Sequence, residues 1–211
     1  VPSVSLTAPH PVTPGGRTAS VTIAFSVVAV SRFQETAGRK RAEMADFKEE
    51  LSRDLVTRLG RELAAAAEHA DAPKLSGSSA PFNRPAFERL AVTGLDELEL
   101  MARVNWIASA LAQTMPPPDQ ADQIIRTALD NGGLHGWASM PVNAYISSAM
   151  LDHPDIALPL LATLTPSYTA EFAIRPFIDA HYEFTMEHLQ KWTTHPNEHV
   201  RRLVSEGTRP R

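Results

Sequence analysis

Cysteine is absent from this 211-residue chain, which excludes disulfide bonds and thiolate metal sites. Long hydrophobic runs are absent too, because the main apolar stretch covers only Val21 to Val30, whereas a membrane-spanning helix needs about 20 residues. Hydrophobic residues still make up 43% of the chain, enough for a sizeable core. These features favour one globular domain, or one domain with a tail.

Positive charge is scarce outside the N-terminal segment. Residues 1–43 carry five basic and two acidic side chains, and the whole chain has a net charge of −4, which leaves about −7 for residues 44–211. A general nucleic-acid binder usually carries a basic stripe. Any contact with nucleic acid must therefore come from a local cluster. The best candidates are Arg201, Arg202, Arg209 and Arg211.

The first 43 residues differ from the rest. Four prolines and a Gly15-Gly16 pair within Val1 to Arg17 oppose regular structure. The apolar run that follows lacks the flanks of a signal peptide. Met44 then opens a segment typical of a protein start. We therefore expect residues 1–43 to be a disordered or mis-called extension and residues 44–211 to form a partial helical-repeat domain.

Helical periodicity dominates after Met44, where Phe47 and four leucines recur at every fourth residue up to Leu63. A second apolar pattern runs from Leu95 to Leu111 and stops at three prolines. Trp106, Trp137 and Trp192 are expected in the core. Shorter helices are predicted at about residues 119–130, 141–151, 155–165, 169–179, 182–194 and 197–207. Strand-type alternation is absent after residue 43, so the predicted fold class is all-α.

An internal echo suggests a repeat. Residues 171–177 and 197–203 align at a shift of 26, matching Ile174 with Val200, Arg175 with Arg201 and Phe177 with Leu203. Each segment follows a turn that contains proline. Repeated helix pairs of this kind indicate an α-solenoid, although two units are few for such an array.

Glu171 is the most interesting carboxylate. Thr169 stands where a helix N-cap would be, so Glu171 is predicted in the first helical turn, and Arg175 lies four residues on, in a favourable order for an ion pair. Pro176 is expected either to kink this helix or to mark its early end. The residues alone leave two interpretations open: a structural ion pair, or a carboxylate that faces a groove.

Four histidines near the C-terminus, His181, His188, His195 and His199, lack the spacing of a metal site, so we expect no metal and no cofactor. The arginine cluster also has two interpretations. Arg201 and Arg202 lie in a helix, with Arg209 and Arg211 beyond its Gly207 end, where they can reach successive phosphates. Alternatively, they are solvated, with one of the pair Arg201 and Arg202 bound to a nearby glutamate.

Two segments of this region carry a family resemblance. They are TAEFAIRPF from Thr169 to Phe177 and HPNEHVRRL from His195 to Leu203, preceded by Trp192 and followed by Ser205-Glu206-Gly207 and Arg209-Pro210-Arg211. They closely resemble bacterial alkylation-repair DNA glycosylases with HEAT-like repeats, the AlkC and AlkD family, and the match is to the AlkC branch. The resemblance is specific over about residues 150–211 and looser from Met44 onward.

The resemblance implies an α-solenoid of HEAT-like helix pairs whose concave face grips duplex DNA. Such proteins excise N-alkylated bases such as 3-methyladenine without flipping them into a deep pocket, unlike most base-processing enzymes. Glu171 matches the family's catalytic carboxylate. The positions that match residues facing the DNA backbone are His195, Asn197, Arg201 and Arg202. Arg175, Arg209 and Arg211 are further expected DNA contacts. The resemblance further implies a cytoplasmic, nucleoid-associated protein that is a monomer when full length.

One departure qualifies these expectations. In the family the Arg-Pro-Arg segment is followed by Leu-Pro-Trp and further helix pairs, whereas this sequence ends at Arg211. We therefore expect a solenoid that is incomplete at its C-terminal end, and a glycosylase truncated there. The alternative is a helical-repeat binding scaffold, or an inactive fragment, without catalysis.

Overall fold

The computed structural model of the chain describes residues 47–69 and 82–210. The predicted extension at residues 1–43 and the predicted DNA contact Arg211 lie outside the described residues. Residues 47–50 are helical. The α-helices that follow are α1 (Arg53–His69), α2 (Arg84–Val92), α3 (Leu100–Thr114), α4 (Pro118–Asp130), α5 (Ser139–Ala149), α6 (Pro154–Leu164), α7 (Arg175–Ala180), α8 (Tyr182–Trp192) and α9 (Glu198–Gly207). No strand occurs in these residues, which confirms the all-α prediction.

The helices stack in two rows. One row runs through α1, α4, α6 and α8, and the other through α2, α3, α5 and α7, each helix packing on the next in its row. Contacts between α1 and α2, α5 and α6, and α7 and α8 join the rows, and α9 packs on α8. Stacked helix pairs of this kind form an α-solenoid, in which each unit buries its apolar face against its neighbours.

Proline marks the start of several helices. Pro118 and Pro154 lie in the first turns of α4 and α6, where the missing N–H has no intrahelical partner to lose. The three prolines predicted to stop the second helix do so, because α3 ends at Thr114. These local signals explain why the predicted bounds of α4 and α6 agree with the structure to within a residue.

The sequence prediction missed α2 and the break that follows it. Asn83 caps α2 by accepting a hydrogen bond from the backbone N–H of Ala86 at 3.1 Å, and Pro85 lies in its first turn. Only Phe87 and Ala91 of its side chains are buried, so its hydrophobic periodicity is short. Gly94 then adopts a φ of 74°, a left-handed conformation that ends the helical run before the 3-10 turn Leu95–Glu97.

The predicted buried face was wrong at four residues, because Ala102 is exposed as well as Phe47, Met101 and Trp106. Phe47, Met101 and Trp106 are 47%, 53% and 43% exposed, although Leu51 and the later leucines of the first pattern are buried as predicted. The core face of α3 consists of the predicted Ala110 and Leu111 together with Val104, Ile107 and Ala108, which the prediction missed. Trp137 and Trp192 are partly buried and pack against the core. None of the helices in the described part is long and apolar enough to cross a membrane.

The matched apolar positions of the internal echo are all buried. Ile174, Phe177, Val200 and Leu203 are each at most 2% exposed. Gly207 packs closely against Ile174, because a Cβ atom built on it would lie 2.6 Å from Cγ2 of Ile174. The end of α9 therefore presses directly on the segment that precedes α7.

We expect Gly207→Ala to destabilise the protein by about 1 kcal/mol. Overpacking a core costs about 1–3 kcal/mol, and the better helix propensity of alanine returns at most about 1 kcal/mol. The β-branched Ile174 has little rotamer freedom with which to move away. Denaturant unfolding measures the change, and Ser205→Ala, at an exposed position of the same helix, is the control. An unchanged unfolding midpoint in Gly207→Ala would show that Ile174 yields without cost.

Candidate active site and nucleic-acid interface

Glu171 lies on a non-helical turn between α6 and α7, not in the first turn of a helix as predicted, because α7 begins only at Arg175. Thr169 still acts as a local cap. Its Oγ1 accepts from the backbone N–H of Glu171 at 3.4 Å and donates to Oε2 of Glu171 at 3.3 Å. The carboxylate is half-buried and oriented by this hydroxyl.

Two buried side chains, one on α5 and one directly after the end of α6, hold this turn. Oγ1 of Thr165 accepts from the N–H of Ala170 at 3.2 Å. Nδ2 of Asn143, on α5, donates to the carbonyls of Tyr168 and Thr169, both at 3.3 Å. These bonds satisfy backbone groups that a helix would otherwise pair. The backbone on the N-terminal side of Glu171 is therefore held by three hydrogen bonds.

Arg175 does not pair with the carboxylate of Glu171, so the predicted ion pair is wrong. Its guanidinium donates instead to backbone carbonyls, of Glu171 at 3.4 Å and of Glu206 at 3.0 Å, and lies 5.9 Å from the ring centre of Phe172. Pro176 does not kink a helix either, because it lies in the first turn of α7. Arg175 thus joins the Glu171 turn to the end of α9.

Three aromatic rings pack in a row that ends at Tyr168, three residues before Glu171. The rings of Phe47 and Trp137 are 5.4 Å apart between centres, and those of Trp137 and Tyr168 are 6.0 Å apart. Burial raises the pKa of the Tyr168 hydroxyl, and the negative charge of Glu171 raises it further. The second cause places the phenol and the carboxylate within electrostatic reach of each other. The sequence prediction did not include Tyr168, although it stands three residues before Glu171.

His195, Asn197 and Arg201 gather at the start of α9. Asn197 caps the helix, with its Oδ1 accepting from the N–H of His199 at 2.8 Å. Arg201 reaches back and donates to the carbonyls of His195 at 2.7 Å and Pro196 at 2.9 Å. The guanidinium is exposed but held in place, so its remaining N–H groups have a defined direction.

Arg202 and Arg209 are both exposed, but they differ in their partners. The side chain of Arg202 has no hydrogen-bond or ion-pair partner among the residues that the structure describes. Arg209 pairs with Oε2 of Glu206 at 3.1 Å. The expected pairing of Arg201 or Arg202 with a glutamate is therefore wrong, because Arg209 takes Glu206 and Arg201 binds carbonyls.

The predicted site residues fall into two groups at opposite ends of α9. A groove of about 370 Å³ beside the start of α9 is lined by Trp192, His195 and Asn197. A second groove, of about 320 Å³, includes Arg175 and Arg209 near the end of α9. The helix α9 has ten residues, so its two ends are about 14 Å apart. Glu171 belongs with the second group, since its backbone carbonyl accepts from Arg175.

Metal ligands are not gathered anywhere in the described residues. No group of three or more histidine or acidic side chains there is arranged to hold an ion. His181 and His188 each contact a backbone carbonyl, of Leu151 at 2.9 Å and of Phe184 at 3.0 Å.

This chain is similar to known proteins. It is 33% identical over 170 residues to the uncharacterized protein YhaZ of Bacillus subtilis (strain 168), a match covering 80% of this chain and 44% of YhaZ. It also superposes on Pseudomonas fluorescens alkylpurine DNA glycosylase AlkC bound to DNA containing an abasic site analog. The chain has an AlkC-like fold. The TM-score is 0.63 at 26% identity, over 78% of this chain and 43% of AlkC. No protein-family model matches the chain.

The chain therefore spans less than half the length of either relative, 44% of YhaZ and 43% of AlkC. The similarity to AlkC supports the helical-repeat prediction.

Proposed function

We propose that the chain is part of an AlkC-type DNA glycosylase that excises N-alkylated bases, such as 3-methyladenine, from duplex DNA. The observation that carries the proposal is the position of Glu171: a half-buried carboxylate on a pinned turn, in a fold similar to a DNA-bound alkylpurine glycosylase. In this proposal the full-length protein is a monomer and needs no metal or cofactor. It acts in the cytoplasm, in association with the nucleoid.

Glu171 suits this chemistry for an electrostatic reason. As a cationic alkylated base departs, positive charge develops on the sugar, and a fixed carboxylate facing it lowers the energy of that transition state. The same carboxylate can orient the attacking water. The bond from Oγ1 of Thr169 at 3.3 Å aims one carboxylate oxygen and leaves the other for substrate or water.

The arginines and the capped start of α9 supply the contacts to DNA in this proposal. Arg202 is exposed and has no partner among the described residues, and Arg201 is held by two carbonyls, so both can meet phosphates. His195 and Asn197 lie beside Arg201 at the same end of α9. Arg209 must exchange Glu206 for a phosphate, and Arg175 contributes by bracing the turn of Glu171.

The decisive experiment is base release from methylated duplex DNA by the chain, beside Glu171→Ala. Release by the parent and its loss in the variant would establish a glycosylase. No release by a chain that circular dichroism shows to be folded would contradict the proposal and favour a non-catalytic helical-repeat scaffold. Salt-dependent binding to duplex DNA distinguishes a DNA scaffold from a scaffold for proteins.

Salt dependence gives a prediction for Arg202. Four phosphate contacts give a slope of about −3.6 in a plot of log binding constant against log salt. We expect Arg202→Gln to make the slope shallower by about 0.9, because one phosphate contact is lost. Fluorescence anisotropy on a labelled duplex measures it. Arg89→Gln, at an exposed position of α2, is the control, and equal slopes for Arg202→Gln and the parent would remove Arg202 from the interface.

A further inference from the structure

Asn143 is a buried amide in an apolar environment. It is 5% exposed and lies on α5 between Val142 and Tyr145, which are 1% and 3% exposed. Burying a polar side chain costs free energy unless hydrogen bonds replace those it made with water. Neither hydrogen bond of its Nδ2 stays within α5: both reach the carbonyls of Tyr168 and Thr169, 25 and 26 residues further on.

Those two carbonyls immediately precede Ala170 and Glu171. They belong to a segment outside any helix, so no intrahelical N–H is available to them. The side-chain amide of Asn143 donates to two consecutive carbonyls, and this fixes the orientation of the backbone at Tyr168 and Thr169. From the other side, Oγ1 of Thr165 holds the N–H of Ala170 at 3.2 Å. The peptides on the N-terminal side of Glu171 are thereby fixed at three points.

We propose that Asn143 is a positioning residue for the reaction. By holding the carbonyls of Tyr168 and Thr169 as a clamp, it sets the position and orientation of the Glu171 carboxylate. The inference rests on the proposed function, because it gives Asn143 a role through Glu171. Asn143 is buried, so it would act through the backbone that carries Glu171. Misplacing a catalytic group by about 1 Å can cost about a hundredfold in rate, so this clamp has a measurable consequence.

Asn143→Leu, of similar size without donors, and Asn143→Ser, with one shorter donor, test the clamp. We expect kcat for base release to fall about ten- to a hundredfold in Asn143→Leu and less in Asn143→Ser, with KM for DNA unchanged within about twofold. Ser139→Ala is the matched control. Ser139 is also buried on α5, four residues earlier, and its hydroxyl has no hydrogen-bond partner in the described structure. We expect it to keep the parent kcat.

A double-mutant cycle separates positioning from general stability. If Asn143 acts through Glu171, its substitution lowers kcat by less than about twofold in a Glu171→Gln background. Equal losses in both backgrounds, or a loss confined to KM, would overturn the proposal. If Asn143→Leu does not fold in circular dichroism, Asn143→Ser carries the same cycle.

Hydrogen exchange decides the proposal without relying on activity. The amide of Ala170 is paired with Thr165, and we expect it to exchange at least about tenfold faster in Asn143→Leu and Asn143→Ser than in the parent or Ser139→Ala. Unchanged exchange overturns the clamp. If Glu171→Gln releases bases as fast as the parent, the proposed function is contradicted instead. The exchange result would then still show whether Asn143 holds the turn.

Discussion

We expect Glu171→Gln to release alkylated bases about a hundred- to a thousandfold more slowly than the parent while binding duplex DNA at least as tightly. Removing one group that stabilises transition-state charge typically costs this much. Glutamine keeps the length of the side chain and an oxygen that can accept from Oγ1 of Thr169, so the turn should keep its shape. Single-turnover release from a duplex with one alkylated base measures the effect.

The retained binding is the informative part of that result. A carboxylate near DNA repels phosphates, so neutralising it should not weaken binding. If Glu171 served only the fold, its loss would lower stability and affinity together. Glu183→Gln removes an exposed glutamate in the first turn of α8 and should keep the parent rate. A Glu171→Gln rate above a tenth of the parent rate contradicts a catalytic role.

Much of the fold follows from local sequence signals. Prolines at residues 118 and 154 mark helix starts because proline loses nothing there, and leucines at every fourth residue mark the buried face of α1. The exposed Trp106 shows the limit of periodicity. An apolar side chain can continue a helical pattern while facing outside the contact with the next helix, and only the packing of α3 on α2 and α5 decides this.

The candidate site was predictable in its residues but not in its local structure. Thr169, Glu171 and Arg175 have the spacing of a helix start, yet the helix begins at Arg175. Pro176 carried the competing signal, since proline favours the first turn of a helix. Arg175 donates to carbonyls instead of the Glu171 carboxylate, including the carbonyl of Glu206, 31 residues away. Sequence spacing cannot reveal a partner at that distance.

Buried polar residues escape sequence analysis for the same reason. Asn143 and Arg103 look like ordinary polar positions on helices, but their acceptors lie on other segments. Nothing within one helical turn of either residue identifies those acceptors. A polar residue on the apolar face of a predicted helix is the available signal, and it shows that a partner exists without showing which one.

We expect Arg103→Met to destabilise the protein by about 3–5 kcal/mol, the largest stability effect predicted for this chain. Arg103 is 3% exposed, and its guanidinium donates to the carbonyls of Lys48 at 2.9 Å, Leu51 at 3.3 Å, Asp96 at 3.2 Å and Leu98 at 3.0 Å. Each buried acceptor left unpaired costs about 1–3 kcal/mol, and partial access of water reduces the sum. Urea unfolding measures the change.

The geometry also predicts the result for lysine. One planar guanidinium joins the segment before α1 to the 3-10 turn before α3, and a single ammonium group cannot reach acceptors spread over both. Arg103→Lys should therefore lose more than half of the stability lost by Arg103→Met, although its charge is kept. Arg89→Met, exposed on α2, should change stability by less than about 0.5 kcal/mol. If Arg103→Lys matched the parent, charge would be what matters at this position, and the four-carbonyl geometry would be incidental.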